Sequence, residues 1–435
     1  MTLLSRRNFI HTSASVAAGI YASGFAEARR GSSILDKLNI ACIGTANRAV
    51  ADIQGVMSQN IVALCDIDGE FLAASQKMIH ENNGATPAGF SDYREMIDRM
   101  GDKFDAVVVA TPDHHHAPAT IRALRAGKHV YCEKPLTHSV QEARIIAEAA
   151  EQAGVATQMG TQIHAWDNYR RVVEIIQSGA IGDVNEVHVW VGKTWGGGER
   201  PKQADPVPGH VNWELWLGPA PARSFKKGLY HPGQWRRWWD FGSGTLGDMA
   251  CHFMDLPFWA LNLTRPTYCR AHGPQLHPDS CPLGLTVDYK FPATKTNPAL
   301  DLTWYDGNMI PKQIHGQRVK ANGVMFVGSD GMMFADYSSY RLFPQEKFAG
   351  FVPPPKSIPD SVGHHNEWIQ ACMNGTPTTC NFTYSGALTE AVQLGNVAYR
   401  SGVALEWDGP NLRATNTETA TAFVSKDHNP GWEVS

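Results

Sequence analysis

Several features of common protein classes are missing from this 435-residue sequence. There is no basic surplus, because 38 Lys and Arg face 42 Asp and Glu, for a net charge of −4. This charge balance disfavours nucleic acid or anionic lipid as the main partner and favours a small uncharged one. No internal repeat is present, and charged residues make up only 18% against 43% hydrophobic. That balance indicates an ordinary globular protein, long enough for two domains.

The eight cysteines form no Cys-x-x-Cys pair, so neither a zinc ribbon nor a thiol redox motif is predicted. Cys42, Cys65 and Cys132 lie in or at the ends of apolar runs and are expected to be core thiols. Cys372 and Cys380 remain candidates for a disulfide in an oxidising compartment, since connectivity does not follow from sequence.

The N-terminus carries a pattern typical of exported proteins. A twin-arginine motif, Ser5-Arg6-Arg7-Asn8-Phe9-Ile10, precedes a mildly apolar stretch and then Ala26-Glu27-Ala28, a small-residue cleavage site. The apolar stretch is too short to span a bilayer, which disfavours a permanent anchor. We expect residues 1–28 to be a twin-arginine (Tat) signal read by the Tat export machinery, and the protein to be periplasmic.

Residues 36–160 show short apolar runs alternating with helical stretches, the spacing of βα units that feed a parallel sheet. The runs are Leu38–Ile43, Ile61–Cys65, Ala106–Ala110, His129–Cys132 and Val155–Met159. Between the last two, Ser139–Ala153 has alanine and isoleucine at helical period. The pattern predicts a doubly wound Rossmann domain.

The first run ends in a loop with only part of a dinucleotide fingerprint. Gly44 is present, but alanine stands at 46 and 49, where further glycines would be expected, so the loop alone is a weak signal. Asp66 follows 22 residues after Gly44, where a ribose-binding acid is expected. Its carboxylate would repel a 2′-phosphate and so favours NAD over NADP. The alternative is an acid that merely caps the next helix.

Residues 161–435 have a different pattern. A helix is predicted over Trp166–Ser178, followed by strands at Val184–Val191, Leu285–Phe291 and Leu300–Tyr305. A hairpin-like pair of strands is predicted at Val324–Val327 and Met332–Ala335, turning at 328–331. These predict an α/β domain with an open, mainly antiparallel sheet. The region from Gly196 to Gly244 is rich in Pro, Gly and Trp without regular period, and a loop of that length is usually functional.

Four motifs show a family resemblance that covers nearly all of the chain after residue 36. They are ALRAGKHVYCEKPL (Ala123–Leu136), Met159–Gln162, Gly179–Gly182 and Gly244–His252. This chain resembles the Gfo/Idh/MocA oxidoreductases, typified by glucose-fructose oxidoreductase and inositol dehydrogenase. The resemblance implies a Rossmann domain followed by an α/β domain that often mediates oligomers, with the active site between them. It also implies NAD, a carbohydrate substrate and a homo-oligomer.

The residues expected at the cofactor combine the strand-end pattern with this resemblance. They are Gly44, Ala46, Asn47, Arg48, Asp66, Thr111, Pro112, His116, Glu133, Lys134 and Gln162. Three consecutive histidines, His114–His116, point in different directions and have no ligand partner at metal spacing, so no metal is predicted.

The resemblance implies a catalytic set of Lys134, Asp248 and His252. Lys134 and His252 are the two candidates to take the hydroxyl proton, and we expect His252 to be the base, with Lys134 stabilising the developing alkoxide. Asp248 and His252 lie one helical turn apart, so the carboxylate is expected to fix the histidine tautomer. A surface pair of Lys134 with Glu133 and a purely structural Asp–His pair are the alternatives. The expected substrate contacts are Lys134, Tyr169, Trp235, Arg236, Asp248 and His252, with His364 and His365 as further polar candidates. Sugar stacking and core packing are equally open for the tryptophans.

Three functions remain in competition. The leading one is oxidation of a secondary hydroxyl on a sugar, polyol or glycoside by tightly bound NAD, loaded before export. The second is an NAD-dependent glycosidase that oxidises, eliminates, adds water and reduces again. The third is a non-catalytic sugar-binding relative, against which the joint presence of Lys134, Asp248 and His252 argues.

Overall fold

A computed structural model describes residues 37–435, and its N-terminal part is a six-stranded parallel sheet. The strands are β1 (Asn39–Ile43), β2 (Asn60–Cys65), β3 (Ala88–Phe90), β4 (Ala106–Val109), β5 (His129–Cys132) and β6 (Thr157–Met159). Their order across the sheet is β3-β2-β1-β4-β5-β6. This is the strand order of a Rossmann fold, in which the order reverses at β1 and opens a crevice there.

Helices cover both faces of this sheet, as the continuous apolar runs require. They are α1 (Arg48–Gly55), α2 (Gly69–Asn83), α3 (Tyr93–Met100), α4 (Asp113–Arg125) and α5 (Val140–Ala153). Alternate residues of β1 enter different cores: Ala41 and Ile43 join one cluster, and Ile40 and Cys42 the other. Caps fix the helix starts, because Asp68 accepts from the first amides of α2 and Ser139 from α5.

The remaining chain builds a nine-stranded sheet in which only β7 and β10 run parallel. Its strands are β7 (Val184–Val191), β8 (Tyr268–His272), β9 (Thr286–Phe291), β10 (Leu300–Asp306), β13 (Asn322–Gly328), β14 (Met332–Ala335), β15 (Tyr340–Phe343), β16 (Leu405–Asp408) and β17 (Arg413–Ala414). A separate two-stranded hairpin joins β11 (Gln313–Ile314) to β12 (Gln317–Arg318). The predicted α/β architecture with a mainly antiparallel second sheet is confirmed.

Seven further helices complete the described chain. They are α6 (Asp167–Gln177), α7 (Trp213–Leu217), α8 (Gly244–Phe253), α9 (Asp255–Ala260), α10 (His364–Asn374), α11 (Phe382–Ser401) and α12 (Thr421–Val424). One hydrophobic cluster runs from the Rossmann sheet through α8 and α11 to the second sheet. From α10, Trp368 and Ile369 pack with Ile53 and Ile79 on the other face of the Rossmann sheet. The two sheets are thus locked together.

Residues 196–243, called the strap below, contain only α7 and a single 3₁₀ turn at Gln234–Arg237. An aromatic core of their own orders them, and its buried members are Trp216, Ala220, Tyr230, Trp235, Trp238 and Phe241. Trp213 stacks on Trp216 with ring centroids 4.5 Å apart. Burial of aromatic side chains therefore stabilises the strap, which contains little regular secondary structure.

The predicted Tat signal lies outside the described residues. Within residues 37–435, no helix combines the length and apolar character that a bilayer crossing needs. All eight cysteines lie in this part of the chain and are unpaired, and all but Cys372 are buried, as expected for core thiols. Cys372 and Cys380 form no disulfide.

Candidate active site

A cavity of about 550 Å³ lies at the carboxyl ends of the Rossmann strands and beneath the strap. Ligands of open α/β sheets bind at this edge, next to the point where strand order reverses. Its lining includes Gly44, Ala46, Asn47, Arg48, Asp66, Thr111, Pro112, Glu133, Lys134, Gln162, Trp235, Arg236 and His252. The structure therefore brings together most of the residues expected from sequence, although they come from segments far apart in the chain.

The turn after β1 requires the glycine that the sequence retains. Gly44 has φ of +91°, and a Cβ there would lie 2.4 Å from the carbonyl oxygen of Ala110. The turn leads into α1, whose N-cap residue, Asn47, forms no side-chain capping hydrogen bond. The first amides of α1 are therefore free of a side-chain cap at the cavity wall, an arrangement that suits a phosphate group.

Asp66 borders the cavity at the end of β2 and does not cap α2, because that role belongs to Asp68. One carboxylate oxygen of Asp66 accepts from the amide and the hydroxyl of Thr45, both at 2.8 Å. Burial raises the pKa of Asp66. The acid thus ties the glycine turn to β2 where a ribose acid was expected.

Glu133 is the centre of a buried hydrogen-bonded network. Its Oε1 accepts from Arg48 Nε at 3.0 Å and from Gln162 Nε2 at 2.6 Å. Burial and the neighbouring carboxylate of Asp52 raise the pKa of Glu133 to about 7. The predicted alternative of a surface pair between Glu133 and Lys134 is therefore wrong, because Glu133 is buried with other partners.

Lys134 crosses to α8 instead. Its Nζ donates to Asp248 Oδ1 at 2.6 Å and to the Asp248 carbonyl oxygen at 3.1 Å. Arg236 Nε donates to the same Oδ1 at 3.1 Å. Burial alone would raise the pKa of Asp248, but the charges of Lys134 and Arg236 hold it well below its usual range. A fixed carboxylate thus positions two cations at the cavity, while Asp248 itself lies behind them.

His252 lines the cavity without the expected partner. Among residues 37–435, no hydrogen bond joins its ring to Asp248, and its buried Nδ1 has no partner. The predicted tautomer-fixing pair is wrong, because Lys134 and Arg236 occupy the carboxylate. Burial and the charge of Lys134 lower the pKa of His252 to about 3, so the ring is neutral at ordinary pH. A neutral imidazole is able to accept a proton.

Three residues expected to contact ligands lie outside the lining: Asp248, described above, Tyr169 and His116. Tyr169 is fully buried, and its hydroxyl donates to the carbonyl of His252 at 3.0 Å, so it supports His252 from behind. His116 is buried between the carbonyls of Thr111 and Pro135, at 2.9 and 2.7 Å. Burial alone would lower the pKa of His116, but Cys132 and the Pro135 carbonyl help raise it to about 9. It joins the loops after β4 and β5.

The other histidine candidates are also structural. His364 is buried on the carbonyl of Met159, and His365 pairs with Asp52 at 3.0 Å on α1. Both connect α10 to the Rossmann domain. The tryptophans do not separate into cavity and core residues, because Trp216 and Trp235 belong to the strap core and also line the cavity. Trp195, also in the lining, and Trp235 flank the Arg236 guanidinium at 5.7 and 4.2 Å.

The strap is fastened to the Rossmann domain by a latch that sequence analysis missed. Asp68 is 2% exposed and accepts from His210 Nδ1 and His231 Nε2, each at 2.9 Å. The amide of Gly69 donates to the His210 carbonyl at 2.8 Å. Burial alone would raise the pKa of Asp68, but the two histidine hydrogen bonds lower it. No local motif marks these histidines, so only the folded chain reveals the latch.

The cavity has the features that an NAD molecule requires. Thr111 Oγ1 is buried at its wall and has no partner among residues 37–435. The tight turn at Gly44 has no room for a Cβ, the start of α1 lacks a side-chain cap, and Asp66 borders the expected ribose position. A buried hydroxyl without a partner is costly unless a ligand or water completes it.

Two models of one protein family match almost all of the described chain. The Gfo/Idh/MocA family model "Oxidoreductase family, NAD-binding Rossmann fold" matches residues 38–161. The companion model, "Oxidoreductase family, C-terminal alpha/beta domain", matches residues 168–434.

Individual relatives are distant. "Glycosyl hydrolase family 109 protein 2" of Shewanella sp. (strain ANA-3) is 28% identical over 157 residues, which span 34% of this chain and 34% of the relative. The match therefore covers about a third of that protein. An aldose-aldose oxidoreductase from Caulobacter crescentus, complexed with glycerol, shares 19% identity and a TM-score of 0.59 over 85% of this chain and all of that one. The WlbA dehydrogenase from Bordetella pertussis, in complex with NADH and UDP-GlcNAcA, shares 17% identity with this chain and has a TM-score of 0.58. The match covers 85% of this chain and 98% of that one.

Proposed function

Since this chain belongs to the Gfo/Idh/MocA oxidoreductase family, we propose that it oxidises a secondary hydroxyl of a sugar, polyol or glycoside with a tightly held NAD. One observation carries the proposal. At the edge of a dinucleotide-sized cavity, a lysine fixed on a buried aspartate lines the wall together with a neutral, unpaired histidine.

Oxidising a secondary hydroxyl removes the proton from its oxygen and a hydride from the carbon that carries it. NAD, when bound, accepts the hydride. The neutral ring of His252 is suited to take the proton. Lys134 is suited to donate to the same oxygen as negative charge develops on it, and Asp248 prevents the ammonium from swinging away. Trp235 and Arg236 provide an aromatic face and a cation for the sugar.

Replacing His252 with asparagine is expected to lower kcat/KM for sugar oxidation by about 10²–10⁴-fold, because positioned proton transfer contributes that much. The low pKa of His252 also predicts the pH profile. The ring stays neutral as pH falls, so the wild-type rate has no acid limb at the ordinary histidine pKa of about 6.5. Steady-state rates between about pH 5 and pH 8 test this. His80→Asn, at an exposed position, is the control. A wild-type limb near 6.5 that disappears in H252N would contradict the low pKa of His252, and an unchanged kcat/KM in H252N would contradict its role as the base.

The latch supports tight retention of the cofactor, since the strap covers the cavity and is held on Asp68. Asp68→Asn keeps a good helix cap but removes the charge that holds His210 and His231. Bound NADH is expected to dissociate about tenfold faster from D68N than from wild type. The loss of bound NADH fluorescence after dilution into excess oxidised NAD measures the dissociation rate. Asp98→Asn, on the exposed side of α3, serves as the control. Equal dissociation rates in D68N and D98N would rule out the latch.

An NAD-dependent glycosidase is the second candidate. Its specific support is the name of the Shewanella relative and the chemistry of a trapped cofactor, which favours a cycle that returns to NAD. To separate the two, purified protein without added cofactor is given glycosides and free sugars, and bound nicotinamide absorbance and released aglycone are followed together. Lasting reduction without aglycone supports the dehydrogenase. Aglycone release without lasting reduction supports the glycosidase. If neither occurs, a non-catalytic sugar-binding protein is favoured.

Export by the Tat route to the periplasm is also proposed, on the strength of the sequence pattern at Arg6 and Arg7. Tat substrates cross the membrane folded, which would allow NAD to be loaded in the cytoplasm. Changing both arginines to lysine is expected to leave the protein in the cytoplasm of a fractionated host. An unchanged periplasmic share would contradict the signal. A homo-oligomer is proposed as well, from the family resemblance, and light scattering of the purified protein tests it.

A further inference from the structure

We propose that Glu186, His188 and His315 form a binding site for a divalent transition-metal ion, for which Zn²⁺ is the natural probe. Two of the three residues are on β7 of the second sheet and the third is on the separate β11–β12 hairpin, and none of them lines the active-site cavity. The site is therefore separate from the oxidoreductase machinery and does not depend on the function proposed above.

The three side chains already converge. Glu186 Oε1 lies 2.6 Å from His188 Nε2, and Glu186 Oε2 lies 3.0 Å from His315 Nε2. One ligand atom from each residue lies within 4.8 Å of the others. Zinc binds imidazole nitrogen and carboxylate oxygen at about 2.0–2.2 Å, so neighbouring ligand atoms of a tetrahedral ion lie roughly 3.4 Å apart. Small side-chain movements would accommodate the ion.

The fold explains why these residues meet. Glu186 and His188 are two apart on β7, so they project from the same face of the sheet. His315 is at the turn between β11 and β12 and has φ of +45°. Gly316, the other central residue of this two-residue turn, has φ of +74°, so the turn is of the kind that tight hairpins commonly use. The hairpin brings an imidazole from 127 residues away in sequence over β7.

A neighbouring tyrosine provides the support that metal-binding histidines commonly have. His188 Nδ1 lies 3.1 Å from the hydroxyl of Tyr305 on β10, and the two rings stack with centroids 5.9 Å apart. A hydrogen bond from Nδ1–H to this hydroxyl leaves the lone pair of Nε2 directed at the cluster. Such second partners orient the ligand ring and raise its basicity.

The site is also accessible. The side chain of His188 is 11% exposed, while those of Glu186 and His315 are 36% and 40% exposed, so an ion can enter and keep a water ligand. The other candidate cluster, His164, Asp255 and Cys380, lacks this access because all three residues are buried. There Asp255 and His164 are already satisfied by each other and by Tyr384.

The predicted consequence of metal binding is that the hairpin is held against the sheet. The hairpin covers a small apolar cluster that contains Trp190, Ile314, Met325 and Phe334. An ion joining His315 to β7 would favour the closed arrangement. Zinc is therefore expected to raise the unfolding temperature of the protein, since a ligand that binds only the folded state stabilises it.

To test the proposal, full-length protein stripped of metal by a chelator is titrated with Zn²⁺ in a calorimeter. The metal that the protein retains after desalting is measured separately. Wild-type protein is expected to retain one equivalent of Zn²⁺. The Zn²⁺ affinity of His315→Ala is expected to be at least tenfold lower, and that of Tyr305→Phe about tenfold lower. Glu186→Gln should behave like H315A. His272→Ala removes an exposed histidine that pairs with Asp288 elsewhere in the same sheet, and is expected to bind as wild type does.

A spectroscopic readout keeps the test decisive if zinc also binds elsewhere. Co²⁺ in a site with these ligands should give visible absorption bands that are present in wild type and H272A but lost in H315A and E186Q. Wild-type protein without a retained equivalent, or equal zinc and cobalt binding in wild type and H315A, would overturn the proposal and leave a hydrogen-bonded His–Glu–His cluster without a metal.

Discussion

Replacing Lys134 with methionine is expected to lower kcat/KM for sugar oxidation by about 10²–10⁴-fold while the protein stays folded. Methionine keeps the length and apolar stem of lysine but removes the only ammonium group in the lining of the described cavity. His252 then has to remove the hydroxyl proton without a donor for the oxygen. Bound nicotinamide reduction under single-turnover conditions, with thermal unfolding measured in parallel, gives the result.

The double variant K134M/D248N distinguishes two causes of inactivity: loss of the Lys134 ammonium from the cavity, and destabilisation by the Asp248 carboxylate that loses its partner. Lys134 and Asp248 are 11% and 10% exposed, so losing the lysine leaves Asp248 with Arg236 as its one ion-pair partner within residues 37–435. An isolated buried charge destabilises a protein by several kcal/mol. If that were the cause of inactivity, neutralising Asp248 would restore the rate. We expect the double variant to regain stability but remain inactive. Lys103→Met, at an exposed pair with Asp102, should have no effect.

Replacing Gly44 with alanine is expected to lower the NAD content of the purified protein at least tenfold. A Cβ at this position lies 2.4 Å from the Ala110 carbonyl oxygen, closer than atoms approach, so the turn has to shift. That turn carries the amides at the start of α1 and the Thr45 contacts to Asp66. Nucleotide released on denaturation, quantified per chain, measures the effect.

Gly127→Ala is a matched control for this change. Gly127 also has a positive φ, +69°, but its Cβ would meet nothing within 4 Å. Both variants therefore carry the backbone penalty of about 1 kcal/mol, and only G44A adds the collision. Equal NAD contents in G44A and G127A would show that the turn does not hold the cofactor.

Strands with strong local signals were predictable from sequence. Val184–Val191 and Met332–Ala335 have the predicted bounds, because continuous or alternating apolar residues mark them. Some short strands, such as β3, were missed. β3, with the sequence Ala88-Gly89-Phe90, is too short and too poor in apolar residues to form a pattern, and it exists because β2 offers an unpaired edge.

The site shows the same division. Residues at strand ends, such as Asp66 and Lys134, were located correctly because the carboxyl ends of parallel strands meet at one edge. The Asp248–His252 pair was wrong because helical spacing does not reveal a competitor, and Lys134 arrives from 114 residues away. The Asp68 latch likewise joins residues 142 and 163 positions apart. Such contacts follow only from the assembled fold.

The measurement that tests the central claim most directly follows the protein's own nicotinamide. Purified protein, without added cofactor, is mixed with a sugar or glycoside that gives a signal in the panel, denatured after a short interval, and its released NAD and NADH are quantified. We predict nearly one nicotinamide per chain, oxidised before mixing and partly reduced after it, with no reduction in K134M. A protein that contains no nicotinamide and does not bind added NAD would contradict it.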